Sequence, residues 1–238
     1  MNEYLGRLED IMPTLPSKSV RMIFADFPYG TTKCSWDSLV DLDIFWKEAN
    51  RILLDDGVVV CTAQFPFTAI LAMSNMKNLR YEWIWEKTAA TGHLNAKKMP
   101  MKAHENVLVF YNKLPIYNPQ KTENHKPVNS YTKHTTDGEI YGKVKLGISG
   151  GGNTDRYPRD VLKFSSDKQK SKLHPTQKPY KLLEYFIKTY TNEGDIVLDP
   201  CRGSNTTGVV CDDLKREFWG IENDPEYFEI GVNRRKNN

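Results

Sequence analysis

The sequence of 238 residues predicts an α/β fold in which helices cover both faces of a doubly wound, mostly parallel sheet. Three observations lead to this prediction. Short apolar runs rich in Val and Ile alternate with segments of helical periodicity. A glycine-containing turn separates a strand from a helix near the carboxyl end. Residues 112–173 interrupt the alternation with little periodicity and much Gly, Pro, Asn, Lys and Thr, which we interpret as an insertion into one domain.

The predicted elements have distinct sequence signals. Residues 57–62, GVVVCT, are strongly β-branched and predict a buried strand. Residues 42–54 carry apolar side chains at helical spacing and end in Asp-Asp-Gly, a helix stop signal. Pro179 suits the first position of a helix. The predicted strands are residues 20–25, 57–62, 81–86, 105–111, 195–198 and 217–221, and the predicted helices are residues 42–54, 66–76 and 180–190 and two that begin near Thr206 and Pro225.

Composition excludes several protein classes. The apolar share of 39% supports a substantial core, and no apolar run approaches the roughly 18 residues that a membrane span needs. The start, MNEYLGRLED, lacks the pattern of a signal peptide. The four cysteines form no C-x-x-C, and no histidines stand at metal-ligand spacing, so we expect no metal site and no disulfide framework. Free thiols favour the cytoplasm, either of a bacterial cell or of a host if a phage encodes the chain.

Charge is distributed unevenly along the chain. Residues 91–190 carry a formal net charge of +10, whereas residues 1–90 and 191–238 carry −3 and −4. Tyrosines are interleaved with the basic residues of the middle segment. This combination suits a polyanion such as nucleic acid, and a solvated lysine-rich surface is the alternative.

Residues 25–30, ADFPYG, directly follow the predicted strand 20–25 and raise a question of function. Proline, glycine and aspartate are common in ordinary turns, so the segment alone is compatible with a simple strand-ending turn. A site that holds an acid and an aromatic ring for chemistry is the second interpretation, and it depends on what else lies at the same edge of the sheet.

Residues 203–208, GSNTTG, form a G-x-G-x-x-G frame with Asn205 at the middle position. Asn is among the residues that tolerate positive φ best. Glu222 lies at the end of the next predicted strand, where an acid accepts hydrogen bonds from ribose hydroxyls. The frame therefore predicts a pocket for a nucleoside-bearing cofactor. Asp199 directly precedes the turn and would repel a phosphate but pair with an amino group, which favours S-adenosylmethionine over a dinucleotide.

The sequence resembles the β-class DNA amino-methyltransferases in three motifs. ADFPYG is similar to their catalytic D-P-P-Y motif, and LDPCRGSNTTG is similar to their cofactor motif D-P-F-x-G-S-G-T-T. HPTQKP, residues 174–179, is similar to the segment that precedes the cofactor motif in that class. The order of catalytic motif, variable region and cofactor motif defines the β class. The resemblance implies a Rossmann-like S-adenosylmethionine-dependent methyltransferase fold and methyl transfer to a base flipped out of double-stranded DNA.

The resemblance also implies roles for individual residues. Asp26 and the backbone carbonyl of Phe27 would accept hydrogen bonds from the target amino group, and Tyr29 would stack on the flipped base. Pro28 completes the catalytic motif. Thr176 and Lys178 would lie near the methionine end of the cofactor. The full set of cofactor residues expected is Asp26, Thr176, Lys178, Asp199, Cys201, Gly203, Ser204, Asn205, Thr206, Glu222 and Asn223.

The chain departs from the family pattern at four positions. Phe27 replaces the first proline of the catalytic motif, Cys201 replaces a phenylalanine, and Asn205 replaces a glycine. Arg7 stands where the family often has an acid that binds the adenine of the cofactor. Pro200-Cys201 also matches the nucleophile of cytosine C5 methylation, but the cysteine lies inside the cofactor turn, so we interpret it as a small apolar lining residue.

The resemblance predicts three functional segments in one domain. Residues 1–111 form the catalytic half, residues 112–173 a basic target-recognition insertion, and residues 174–238 the cofactor-binding half. Lys97 and Lys98 are candidates for phosphate contacts, with a solvated loop as the alternative. Arg156 and Arg159 are candidates for guanine or phosphate contacts, with pairing to Asp155 or Asp160 as the alternative.

We expect a DNA adenine-N6 methyltransferase, because an aspartate in this motif favours adenine in the family. The alternatives are a cytosine-N4 methyltransferase, a nicotinamide-dependent oxidoreductase on the same glycine frame, and a nucleic-acid-binding protein without catalysis. A homodimer is compatible with the sequence. The sequence leaves open the recognition site and whether the enzyme serves a restriction system, a phage or neither.

Overall fold

The computed structural model describes residues 2–28, 40–132, 147, 149–165 and 177–237. Over these ranges the chain forms strands β1 (Asn2–Leu5), β2 (Val20–Ala25), β3 (Leu53–Ala63), β4 (Leu79–Thr91), β5 (Lys102–Phe110), β6 (Tyr131–Thr132), β7 (Ser149–Gly150), β8 (Val161–Phe164), β9 (Ile196–Asp199) and β10 (Glu217–Glu222). The helices are α1 (Leu8–Ile11), α2 (Leu42–Ile52), α3 (Phe67–Ser74), α4 (Tyr180–Tyr190), α5 (Thr206–Asp213) and α6 (Pro225–Lys236).

Eight strands form one sheet in the order β1-β10-β9-β2-β3-β5-β4-β8. Neighbours pair in parallel except at β5, which is antiparallel to both β3 and β4. The predicted doubly wound, mostly parallel sheet is therefore confirmed. Strand β5 runs in the opposite direction to β3 and β4, so its first residues lie at the edge where those two strands end.

Both faces of the sheet are buried, as the β-branched strands require. In β2, Ile23 and Ala25 pack on one face with helices α1, α2 and α3, while Met22 and Phe24 pack on the other with α4 and α5. The same alternation continues through β3 and β5. The central strands are held rigidly from both sides, so the residues at their ends have fixed positions.

Side-chain caps mark where two helices begin. Asp41 accepts hydrogen bonds from the backbone N–H groups of Asp43 and Ile44 at the start of α2, both at 3.0 Å. Asp224 caps α6 in the same way, with Pro225 at the first helical position. Each cap directs a helix away from the carboxyl end of a neighbouring strand.

Three features differ from the sequence-based expectation. Strand β3 begins at Leu53, inside the predicted helix 42–54, because Leu53 is extended and pairs with Val20 of β2. Strand β1 pairs with β10 although no periodicity predicts so short a strand. Strand β8 lies within residues 112–173 but pairs in parallel with β4, so part of that region belongs to the main sheet.

Two compact units make up the chain. The first comprises Met1–Asn118 with Asp160–Asn238 and contains the large sheet, and the second is Pro119–Arg159. Within the second unit, β6 and β7 pair antiparallel, and the backbones of Thr122 and Arg156 form an isolated bridge. Across the described residues, no helix combines the length and apolar character needed to cross a membrane.

Candidate active site

The candidate site lies where the direction of winding of the sheet reverses. Strands β2 and β9 are neighbours, but the chain passes from β2 to β3 on one side and from β9 to β10 on the other. The carboxyl ends of such a strand pair open a crevice, which is the usual ligand position in this class of fold. Asp26 directly follows β2, Asp199 ends β9, and Glu222 ends β10. The structure thus brings the two motif regions together.

Asp26 is held by a hydroxyl and an ammonium group. Thr62, near the end of β3, donates from Oγ1 to Oδ1 of Asp26 at 2.5 Å. The Nζ of Lys178 lies 2.7 Å from the same oxygen, and the side chains of Lys178 and Asp26 are 9% and 20% exposed. The sequence predicts Lys178 near the cofactor, and the structure pairs it with the motif acid.

Phe27 occupies the core. Its ring is buried and meets the rings of Phe45 and Phe67 edge-on, with centroids 4.8 and 6.5 Å apart. The ring thereby anchors the second residue after β2 by packing, where family members have a proline ring that restricts the backbone. Pro28 is half-buried. Tyr29 and Thr176 lie outside the described residues.

A second ionic group extends from Lys178 away from Asp26. Glu105, at the start of β5, lies 3.4 Å from Nζ of Lys178 and 2.7 Å from Nζ of Lys87. Gln64 donates to Glu105 at 3.0 Å. Burial alone would raise the pKa of Glu105, but Lys178 and Lys87 outweigh burial and bring this pKa to about 2. Glu105 therefore stays ionised at every physiological pH.

Asp199 is bound by neutral donors. Thr207 donates from Oγ1 to Oδ2 at 2.6 Å, and the backbone N–H of Cys201 donates to Oδ1 at 3.0 Å. Burial raises the pKa of Asp199 to about 7, and the charges of Asp26 and Glu222 add to the increase. The carboxyl group holds the turn in shape and also responds to charge in the crevice.

Glu222 closes the glycine turn from the neighbouring strand. Its carboxylate accepts hydrogen bonds from the backbone N–H groups of Gly203 and Asp224, both at 2.9 Å. Burial raises its pKa, although these two N–H groups act in the opposite direction. Asn223, the next residue, is exposed. Glu222 is therefore attached to the turn itself and lies at the predicted edge of the crevice.

The side chain of Asn205 faces the back of the turn. Asn205 adopts the left-handed conformation, with φ of 63°. Its Nδ2 donates to both carboxylate oxygens of Glu3 in β1 at 3.0 and 3.1 Å. A Cβ atom on Gly208 would clash with Oδ1 of Asn205, so glycine at this position leaves room for the Asn205 side chain. Asn205 thus serves the turn by its backbone conformation and by its bond to β1.

Arginines surround the outer side of the same turn. Arg202 is fully buried and lies 2.9 Å from Glu3, which also pairs with Arg235 of α6 at 3.1 Å. Arg234 donates to the backbone oxygen of Ser204 at 3.0 Å and to Oγ1 of Thr206 at 2.9 Å. These contacts fix Ser204 and Thr206 from α6. The arginine contacts thus connect the cofactor turn to β1 and to α6.

The thiol of Cys201 lies in an unfavourable place for a nucleophile. Burial raises its pKa well above the usual value, and the charges of Asp199, Glu222 and Asp26 raise it further. A thiol that remains protonated is a poor nucleophile. This agrees with the interpretation of Cys201 as a lining residue. The same charge effects show that the three carboxylates face one small region.

The predicted DNA-binding residues have different surroundings. Lys97 and Lys98 are exposed after a short 3₁₀ turn. Arg156 is half-buried, and its guanidinium donates to three backbone carbonyls, those of Asn153, Asp155 and Lys126. Arg159 is exposed. The guanidinium of Arg156 organises its own unit, and DNA contact by all four residues stays a prediction.

Sequence reasoning missed several residues that support the site. Glu105 begins a predicted strand, Lys87 lies one residue beyond the end of another, and the antiparallel direction of β5 is what brings Glu105 to the crevice. A search for charged residues at otherwise buried strand ends would have found Glu105. Burial is the main cause of the raised pKa of Cys201, and the charge of Glu9, which pairs with Arg7 at 3.3 Å, adds to it. No strand-end pattern marks Glu9 or Glu3 in the sequence.

No group of three or more His, Cys, Asp or Glu residues in the described part of the chain has an arrangement that could hold a metal ion.

Comparison with known proteins gives one consistent result. A family model described as DNA methylase, N6/N4 type, matches residues 20–233. The DNA adenine methyltransferase YhdJ of Escherichia coli is 31% identical over 92% of this chain and 77% of its own length. The type II methyltransferase M1.MboII of Moraxella bovis is 26% identical over 92% of this chain and 90% of its own.

Solved structures share the fold. The complex of M1.HpyAVI with SAM has 24% identity and a TM-score of 0.66 over 98% of both chains. The cytosine-N4-specific PvuII DNA methyltransferase has 20% identity and a TM-score of 0.68 over 98% of this chain and 85% of its own. With strands, crevice and motifs in the order described, the chain belongs to the N6/N4 DNA methylase family and has the Rossmann-like fold of S-adenosylmethionine-dependent methyltransferases.

Proposed function

We propose that the protein methylates the exocyclic N6 of adenine in DNA, with S-adenosylmethionine as methyl donor. The observation that carries the proposal is the position of Asp26. Its carboxylate follows β2 at the edge of the crevice, is bound by Lys178 at 2.7 Å, and shares that crevice with Asp199 across the β2–β9 junction. A hydrogen-bond acceptor and the proposed nucleoside pocket thus lie at the ends of adjacent strands.

The charges of the crevice fit this cofactor. When bound, S-adenosylmethionine supplies a reactive methyl group on a positively charged sulfur. The acidic groups of Asp26, Asp199 and Glu222 create a negative field over the crevice: the charges of Asp26 and Glu222 add to burial in raising the pKa of Asp199, and all three add to burial in raising that of Cys201. Such a field favours a cation and disfavours a pyrophosphate, which argues against a dinucleotide. Asp199, the turn at Cys201–Thr206, Glu222 and Asn223 are the residues we expect to hold it, as the resemblance implies.

The chemistry we propose relies on positioning. The lone pair of an exocyclic amine is shared with its ring, so the amine is a weak nucleophile. Asp26 and the carbonyl of Phe27 each accept a hydrogen bond from one of its two N–H groups and favour a pyramidal nitrogen whose lone pair is available. The base must leave the DNA stack to reach these acceptors, and Tyr29 stacks on it in the proposal. The chain then contributes orientation and electrostatic stabilisation and needs no covalent intermediate.

Two considerations favour adenine as the target. An aspartate at the first position of the motif favours adenine in the resembling family, and the 31% identical relative from Escherichia coli is named an adenine methyltransferase. Cytosine N4 is the second candidate, because the PvuII enzyme of similar fold is cytosine-N4-specific. We propose that DNA is bound by the basic residues of 112–173, including Arg156 and Arg159, and by Lys97 and Lys98.

Mass spectrometry of nucleosides tests the proposal. Purified protein is incubated with S-adenosylmethionine carrying a labelled methyl group and with DNA from a methylation-free host, and the DNA is then digested. We expect labelled N6-methyldeoxyadenosine, reduced by about 10²-fold or more in Asp26→Ala. Glu229→Ala, which removes an exposed acid of α6, is the matched control. Labelled N4-methyldeoxycytidine would identify cytosine as the target base, and an unlabelled product pool would refute methyl transfer to DNA.

A further inference from the structure

Four charged side chains of alternating sign form a chain that leads away from Asp26. Lys178 lies between Asp26 and Glu105 at 2.7 and 3.4 Å, and Lys87 lies 2.7 Å beyond Glu105. Lys178, Glu105 and Lys87 are each exposed by less than a tenth. The residues come from four segments: the position after β2, the approach to α4, the first half of β5 and the second half of β4. Such a convergence requires the whole sheet edge to form.

Burying charge in this way is costly unless each ion is compensated. An isolated ion loses several kcal/mol of hydration in a protein interior, and a partner of opposite sign offsets that loss only with good geometry. Lys178 has a carboxylate on either side, and Glu105 has an ammonium on either side. The four formal charges sum to zero. If Lys178 only attached α4 to the sheet, it would not need buried carboxylates on both sides. A cation that is held in a fixed position beside Asp26 does need them.

Asp26 shares the crevice with two further acids, Asp199 and Glu222, which end the strands across from it. Burial raises the pKa of Asp199 and of Cys201, and the charge of Asp26 raises both further. In the described part of the chain, Thr62 donates to Asp26 and Lys178 places a positive charge 2.7 Å from it. Like charges repel, so a fixed cation beside Asp26 offsets the repulsion between neighbouring carboxyl groups.

We infer that Lys178, held in place by Glu105 and Lys87, is a positioning residue that balances the charge of Asp26 and orients its carboxylate for methyl transfer. Thr62 and Lys178 both bind Oδ1, which fixes the rotation of the carboxylate. Glu105 holds the ammonium from behind and so prevents Lys178 from turning towards solvent. This inference rests on the proposed function, and it assigns Lys178 to the base side of the crevice. The resemblance implies the cofactor side.

Single-turnover methylation as a function of pH tests the inference. Rates are measured at saturating cofactor between about pH 5.5 and pH 9 for the full-length protein and for Lys178→Met. We expect a rate loss of about 10²-fold at neutral pH, as for a misplaced reacting group. We also expect the acid limb of the profile to move to higher pH. The affinity for S-adenosylhomocysteine, measured by calorimetry, should stay within about threefold of wild type.

Two further variants make the test decisive. Lys178→Arg keeps the positive charge and should retain the wild-type pH profile. Lys181→Met removes an exposed lysine three residues along, whose partner is Glu184, and should leave rate and profile unchanged. If Lys178→Met does not fold, Lys178→Arg decides: a retained profile supports the inference and a shifted profile overturns it.

The opposing outcomes are distinct. An unchanged rate and pH profile in Lys178→Met would overturn the inference. Weaker binding of S-adenosylhomocysteine with an unchanged rate at saturation would assign Lys178 to the cofactor instead. A wild-type protein that labels neither adenine nor cytosine would refute the proposed function itself, whereas an active wild type with an unaffected variant refutes only the role of Lys178.

Discussion

The acids on the two sides of the crevice have different kinds of partners. On the β2 side, Asp26 is bound by a lysine that belongs to a chain of alternating charges. On the β9–β10 side, Asp199 and Glu222 are bound by a hydroxyl and by backbone N–H groups, without a net positive charge from these donors. The pKa of Glu105 on the first side is about 2, and that of Asp199 on the second is about 7.

The contrast teaches how one negative crevice can serve two ligands. Ion pairs supply compensation within the protein, so the β2 side keeps its charge whether or not a ligand is present. The neutral donors of the other side leave the buried charge of Asp199 partly uncompensated. A positively charged ligand can therefore supply the missing compensation. The first side is suited to a neutral base and the second to a cationic cofactor, which agrees with the proposed function.

The largest expected effect comes from breaking the ion chain at its centre. Glu105→Gln leaves Lys178 and Lys87 without their shared carboxylate, and we expect the free energy of unfolding to fall by about 3–5 kcal/mol at pH 7. Because the folded pKa of Glu105 lies below its unfolded value, its contribution is present above about pH 4.5 and is lost as the pH falls towards 2. Urea unfolding at several pH values measures both effects.

Glu229→Gln, an exposed acid of α6, is the control for that experiment. Its free energy of unfolding should match wild type within about 0.5 kcal/mol. If Glu105→Gln were as stable as wild type, the buried row of ion pairs would contribute nothing to the free energy of unfolding. The difference between the two sides of the crevice would then have no effect on stability.

A smaller effect is expected on the cofactor side when the pH changes. Burial raises the pKa of Asp199 to about 7, and a bound cation favours the ionised form, so cofactor binding should release a proton. We expect the affinity for S-adenosylmethionine to be about tenfold higher at pH 8 than at pH 6. Calorimetry in buffers of different ionisation enthalpy measures the affinity and the released proton together.

Asp199→Asn should remove most of that pH dependence, because the amide keeps the shape of the side chain and does not titrate. The sign of the stability effect is opposite to that of Glu105. A folded pKa above the unfolded value means that the protein without cofactor loses stability as the pH rises from about 4 through about 7. An affinity that is independent of pH in wild type would contradict the assignment of Asp199 to a cationic ligand.

The six predicted strands and the five predicted helices each coincide in position with an element of the structure, because they depend on local patterns. Val20–Ala25 and Tyr180–Tyr190 have the predicted bounds, since their apolar periodicity is uninterrupted. Strand β8 was not predicted, because four residues with exposed alternate positions carry little periodic signal. Its pairing with β4 depends on tertiary contacts that no local pattern encodes.

The site was predictable where a motif names its residues, and not where the sheet brings distant residues together. Asp26, Asp199 and Glu222 were found from strand ends and turn chemistry. Glu105 required knowledge that β5 is antiparallel, and Glu3 required knowledge that β1 joins the sheet at β10. Phe27 is a position where the sequence suggests more freedom than the structure has. The missing proline predicts a less restricted loop, but packing against Phe45 and Phe67 restrains the residue.

The smallest expected effect concerns Asn205, where the family has glycine. Asn205→Gly loses the hydrogen bonds to Glu3, which should lower the free energy of unfolding by about 1 kcal/mol, partly offset because glycine adopts the left-handed conformation without strain. Since the side chain faces β1 and α6, the affinity for S-adenosylhomocysteine should change by less than about threefold. Chemical unfolding and calorimetry on the same preparation measure the two quantities. A large loss of affinity with unchanged stability would place the amide of Asn205 in the cofactor pocket. That result would show that the turn contacts its ligand through the side chain of Asn205. In the structure, this side chain instead binds Glu3 of β1.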